Sequence, residues 1–111
     1  QNDQTIRSYS SFNSFKRGEG KAGPGMELHH IVEQNPANKA RFAPEKLQST
    51  ENITPLTKQV HRDISSWYSQ RVNQDSSLRN RDIISTKSFH EQMSIGRNVM
   101  NKATNGTLKK K

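Results

Sequence analysis

The chain has 111 residues, the size of one small domain, with 28% apolar residues and a mean hydropathy of −1.08. Its net charge is +8, carried mostly by residues 58–111, where 11 Lys/Arg face 4 Asp/Glu, against 7 and 6 in residues 1–57. The lack of cysteine excludes disulfides and Cys-ligated zinc, and the lack of a long apolar run excludes a transmembrane helix or signal peptide within it. Low hydropathy with high charge borders on the composition of disordered chains. The apolar residues nevertheless cluster in patterned segments, so a folded domain is expected, its thin core helped by a bound metal or partner. A basic half favours a polyanionic partner, nucleic acid first and an acidic protein second. The opening Gln1 fits a piece of a longer protein.

Residues 1–13 are polar and serine-rich without periodicity and read as a flexible arm, either a linker or loosely docked. Tyr9, Phe12 and Phe15 are expected to pack its end onto the core, with stacking on bases as the sharper alternative. Lys16 to Gly25 holds four glycines and a proline, which predicts a loop. Met26 to Val32 suits a short half-buried strand, on which the neighbours His29 and His30 point to opposite faces. Asn35-Pro36 predicts a helix start, with Asn as N-cap and Pro at the first helical position, running to about Phe42. Glu45 to Gln48 adds a further turn.

Asn52 to Leu56 reads as a second short strand, which Pro55 marks as an edge. Thr57 then N-caps a helix from Lys58 to about Gln70, whose Val60, Ile64, Trp67 and Tyr68 share a buried face and whose first turn carries His61. Residues 71–84 form a connection with a short helix or strand around Arg81 to Ile84. Ser88 to Glu91 has the spacing of a capping box for a last helix, to about Lys102. Phe89, Met93, Ile95, Val99 and Met100 are expected to face inward there, with Gly96 at a close helix contact. The domain proper spans 14–104, and 105–111 is a basic, disordered tail.

The order is thus strand, connection, strand, helix, with a histidine pair on the first strand, Asn52 opening the second and His61 on the helix. Phosphodiester hydrolysis needs little more: a histidine on a divalent metal, another off the metal to take a proton from water, and an amide to hold the loop. The His29-His30 pair, Asn52 and, after eight residues, His61 resemble the HNH endonucleases of the ββα-metal (His-Me finger) superfamily. Leu28-His29-His30 more narrowly resembles the LHH/WHH nuclease modules at the C-termini of bacterial polymorphic toxins, such as Rhs and contact-dependent inhibition effectors. Phe15-Lys16-Arg17, Ala22 to Gly25, His29 to Gln34, Asn52-Ile53, Val60-His61 and Ser88 to Gln92 fit the same pattern, over roughly residues 12–102.

The resemblance implies an α+β fold with a small ββα-metal (HNH, treble-clef-like) core, a two-stranded hairpin and additional helices. It implies His29 and His61 as metal ligands, His30 as the base that activates water and Asn52 as the residue that orients that base. The cofactor would be one divalent ion: Mg²⁺, Mn²⁺, Zn²⁺ or Ni²⁺. Some HNH enzymes carry a further histidine four residues on, where this chain has Ser65. From the residues themselves, Arg17, Lys58 and Arg62 are candidate phosphate contacts. Glu33 and Glu27 are candidate supports behind the histidines, with a Lys partner as the alternative for Glu33, and His90 reads as structural. The implied activity is a metal-dependent endonuclease, a DNase before an RNase. It would serve as a toxin domain delivered at or from the cell surface within a larger effector, acting in the cytoplasm of the target cell. Its partners would be DNA and a cognate acidic immunity protein, with no membrane anchoring. A non-catalytic nucleic-acid-binding module and an interaction domain with structural zinc are the alternatives.

Overall fold

Two short strands pair into a hairpin-like ribbon in the computed structural model, which describes residues 5–109. Strand β1 (Met26–His30) runs antiparallel to β2 (Ile53–Thr57), with Leu28 opposite Pro55 and His30 opposite Ile53. A two-stranded ribbon tolerates Pro55, because one side of each strand makes no ladder bonds. The pairing continues past the strand end, where Ile31 N donates to the Asn52 carbonyl at 2.8 Å. The long connection between the strands carries α2 (Pro36–Arg41) and α3 (Pro44–Leu47). Asn35 caps α2 by accepting from Asn38 N, with Pro36 at the first helical position, as its sequence predicts.

From β2 the chain passes straight into α4 (Lys58–Ser69), whose cap is the Thr57 side chain. Ile64 and Tyr68 are its buried residues, and Val60 and Trp67 flank them. A short α5 (Asn80–Ile84) resolves the ambiguous stretch before the last helix. Helix α6 (Phe89–Asn105) starts at the Ser88–Glu91 capping box and ends at Gly106, whose φ of +75° suits a residue without a Cβ. The main apolar cluster lies where these helices meet: Ile64, Tyr68, Ile84, Val99 and Ala103. The described residues therefore make an α+β fold of one antiparallel two-stranded sheet and six helices. None of these helices is long and apolar enough to cross a membrane.

Several expectations need correction. The end of the arm and the start of the glycine-rich stretch form a helix, α1 (Phe12–Glu19), capped by Ser11 and anchored by the buried Phe15, while residues 20–25 are the expected loop. The segment before it is docked, as the second reading of the arm had it: Tyr9 N donates to Gln48 O and Thr50 N to Arg7 O, each at 2.9 Å. These are backbone bonds, which leave no side-chain signature. Arg7 and the Tyr9 hydroxyl also bind Glu19 at the end of α1. Residues 1–4 of the expected arm lie outside the described residues, as do Lys110 and Lys111 of the expected tail. Within that tail, Asn105 is still helical and Leu108 packs against the main cluster.

The inner face of α6 also differs. Its buried residues are Gln92, Gly96, Val99 and Ala103, a clean i, i+4, i+7, i+11 stripe of small and amide side chains. Phe89, Met93, Ile95 and Met100 sit beside that stripe, half-buried. Gly96 faces the end of β1 rather than another helix: a Cβ there would lie 2.5 Å from the Ile31 carbonyl oxygen. The helix can approach the ribbon this closely only because position 96 has no side chain.

Candidate functional site

Strand alternation puts Glu27 and His29 on one face of β1, and β2 leads without a break into α4, which carries His61 across that face. The His29 and His61 rings meet edge to face with centroids 5.3 Å apart. His61 Nδ1 is 2.7 Å from Glu27 Oε1, and this bond is the chief reason the Glu27 carboxyl lies below its usual range. In the neutral ring, with Nδ1 donating to the carboxylate, His61 Nε2 is the acceptor nitrogen.

His29 is 4% exposed, and its Nε2 is the one fully buried side-chain nitrogen or oxygen without a hydrogen-bond partner among the described residues. Burial pushes its pKa down to about 4, with the neighbouring His61 and His30 adding to the effect. The ring is therefore neutral at pH 7, the form in which an imidazole ligates a metal.

His30 is turned elsewhere. Its ring meets Phe12 edge-on at 4.8 Å, and its Nε2 lies 2.8 Å from Gln48 Oε1. Gln48 in turn donates from Nε2 to Gln34 Oε1 at 2.8 Å. In this chain of bonds His30 Nε2 carries the hydrogen, which leaves Nδ1 as the basic nitrogen. Burial lowers the His30 pKa, the Gln48 bond opposes this, and the charges of His61 and Lys39 lower it further.

Although they leave the strand in opposite directions, His29 and His30 both line one cleft of about 430 Å³, together with Phe12, His61, Ser65 and Arg81. The cleft crosses the end of β1, where the chain bends at Ile31 and Val32, so neighbours on both faces reach it.

Asn52 is fully buried and makes three bonds, all to backbone. Its Oδ1 accepts from Val32 N at 2.7 Å, and its Nδ2 donates to Val32 O and Leu47 O, each at 3.0 Å. It shapes the turn that follows His30 and acts through position alone. Glu33 supports no histidine. It holds Arg81 through two bonds of 3.0 Å, and its Oε1 accepts a further bond from Asn35. The cation it pairs with is thus an Arg from α5 and not a Lys. Arg17, Lys58 and Arg62 are exposed and lie outside the cleft wall. Lys58 and Arg62 are near enough to Glu27 to favour its charged form, whereas Arg17 binds Ser14 on its own helix. His90 is exposed on α6.

No group of three or more His, Asp or Glu side chains among the described residues is placed to hold a metal. The donors fit a divalent ion more sparingly. An unpartnered buried His29 Nε2 stands beside a His61 backed by a carboxylate, the second-layer arrangement that orients metal-bound imidazoles. Two imidazoles leave most of a coordination sphere to water and phosphate oxygens, as hard divalent ions accept. Sequence reasoning missed Gln48, Gln34, Lys39 and Arg81, since a lone amide or cation has no recognisable spacing. Comparison with known proteins adds nothing to this geometry: no family model, curated protein or solved structure matches the chain.

Proposed function

We propose that the chain is a metal-dependent endonuclease of the HNH, ββα-metal kind, acting on DNA in preference to RNA. The observation that carries the reading is the sorting of three histidines within one cleft. His29 and His61 converge with a free Nε2 and a carboxylate-backed ring, while His30 is held apart by Gln48. The β1–β2–α4 segment is the portion that resembles a ββα-metal core. His29 and His61 would hold one divalent ion, which when bound neutralises the phosphate and the leaving oxygen.

The chain's own residues do the rest. His30 Nδ1 accepts a proton from water as the water oxygen bonds to phosphorus and the ester P–O bond breaks. Gln48 keeps the His30 ring in the tautomer that makes Nδ1 basic, and burial keeps it neutral and ready to accept. Asn52 holds the backbone turn on which His30 depends, and Glu27 orients His61. Lys58 and Arg62, on the first turns of α4 beside His61, would contact phosphates flanking the cut.

A basic half of net +7 supports nucleic acid as substrate and an acidic protein as inhibitor. Within this reading the chain is a toxin domain of an interbacterial effector, delivered at or from the cell surface, working in the target cytoplasm and neutralised by a cognate immunity protein. The test is cleavage of plasmid DNA and of RNA across Mg²⁺, Mn²⁺, Zn²⁺ and Ni²⁺, with His30→Ala beside the parent. Loss of a general base lowers the rate by roughly 10²- to 10⁴-fold. A His30→Ala protein that cuts as fast as the parent overturns the assignment, and no cleavage with any metal overturns the activity.

A further inference from the structure

A second cavity of about 300 Å³ opens beside the histidine cleft and shares two wall residues with it, Phe12 and Gln34. Its other walls include the Phe42 ring, the apolar side chain of Leu47, the Gln48 amide and Lys39. This combination is unlike a gap in a core. Two aromatic rings and an aliphatic side chain share the cavity's wall with an amide and a cation.

The hydrogen bonds say what the amides present. Gln48 is engaged at both ends, its oxygen by His30 and one of its amide hydrogens by Gln34. Gln34 uses only its oxygen, in accepting from Gln48, so its Nε2 has both hydrogens unspent among the described residues. The slot thus displays hydrogen-bond donors around an aromatic surface. Lys39 has no carboxylate partner among the described residues, and its charge is felt by His30. Lys16 lies over the Phe12 ring at 4.6 Å from its centroid, adding positive charge at the junction of the two cavities.

A flat ring carrying acceptor atoms on its edge, attached to a phosphate, matches all three features. We infer that this cavity is a base-binding subsite. It takes the nucleobase next to the cleaved phosphodiester, stacked on Phe12 and read at an acceptor edge by Gln34, with Lys39 on the adjoining phosphate. The inference rests on the nuclease reading and sharpens its substrate class. A base can enter a slot walled on this scale only after leaving its stack, so the substrate is single-stranded or locally unpaired nucleic acid. It also gives Phe12 two duties, since the same ring packs edge-on against His30.

The experiment measures cleavage by the intact protein of fluorescent single-stranded DNA, single-stranded RNA and the matched duplexes, then of single strands with one abasic residue moved along the sequence. A binding arm uses His30→Ala with the same oligonucleotides. The expected results are a preference for single strands of roughly tenfold or more, and a loss of similar size when the abasic residue reaches one fixed position beside the cut. Because Phe12 also touches His30, its variants are read as the ratio of intact-strand to abasic-strand cleavage within each protein: Phe12→Leu should bring that ratio close to one, and Phe12→Trp should restore it. Base-independent cleavage, equal on duplex and single strand, overturns the subsite while the nuclease stands. Abasic-sensitive binding without cleavage under any metal keeps the subsite and overturns the nuclease. Neither cleavage nor base-dependent binding overturns both. Whether DNA or RNA shows the stronger effect identifies the sugar the cleft accepts.

Discussion

Removing the Asn52 side chain should cost this protein a large part of its stability, although Asn52 touches no other side chain through hydrogen bonds. The side chain has zero exposure, and its three bonds satisfy Val32 N, Val32 O and Leu47 O. Val32 and Leu47 are each only 1% exposed, so water cannot replace the lost partner without entering the core. Three net hydrogen bonds at roughly 1 kcal/mol, plus the stranding of a buried Val32 N–H, give about 4 kcal/mol for Asn52→Ala. Small domains are stable by about 5–15 kcal/mol in total, so such a loss leaves the variant close to unfolding.

Asn52→Asp is nearly isosteric and separates size from chemistry. One carboxylate oxygen can still accept from Val32 N, but the other faces two carbonyl oxygens where an N–H₂ donated. It should be at least as damaging as alanine at pH 7. Urea unfolding followed by the fluorescence of Trp67, the single tryptophan, measures both variants. A loss below about 1 kcal/mol for Asn52→Ala would refute the reasoning, because it would mean that the three backbone groups find other partners.

Two further outcomes follow from the same geometry. Gly96→Ala should destabilise by about 1–2 kcal/mol even though alanine favours a helix by about 1 kcal/mol, because the new methyl meets the Ile31 backbone oxygen at 2.5 Å; thermal melting checks this, and an unchanged or raised midpoint contradicts it. His29 titrates near 4 when folded and near 6.5 when unfolded, so the unfolded chain binds the proton more readily. Its contribution is therefore complete above pH 6.5 and drains away as the pH falls toward 4, by about 3 kcal/mol in all. Urea unfolding at several pH values in a chelator should show that slope flattened in His29→Gln, and an equal slope in both proteins refutes the attribution.

What could be read from the chain beforehand was whatever is written locally. Asn35 before Pro36, Thr57 before Lys58 and Ser88 three residues before Glu91 each announce a helix through a side chain that bonds its own neighbourhood. The histidine pair and His61 were legible for a related reason: strand alternation and a helix start are local rules, and they place Glu27 and His29 toward the same element. Helix α1 was hidden because its only apolar anchors are Phe12 and Phe15 in a serine-rich setting, flanked by glycines that read as loop. Gln48 and Gln34 were hidden because their partners come from the fold. A residue 18 positions from His30 acquires a role only when α3 folds back beside the end of β1.

The same contrast explains how so polar a chain folds at all. The connection between the strands, residues 31–52, buries few large apolar side chains and is held instead by amides and one ion pair. Asn38 and Gln92 exchange two hydrogen bonds, at 2.9 and 3.1 Å, and so join α2 to α6. Asn38 also donates to Glu33 O, Glu33 grips Arg81 of α5, and Arg41 donates to the Ser85 carbonyl. Asn52 closes the other end. Each amide supplies a donor and an acceptor in fixed geometry, so each specifies a single packing where an aliphatic pair would allow several. In composition these residues count toward disorder. In place they set the backbone that follows His30, and the order of that connection comes from side chains that a hydropathy scale scores as surface.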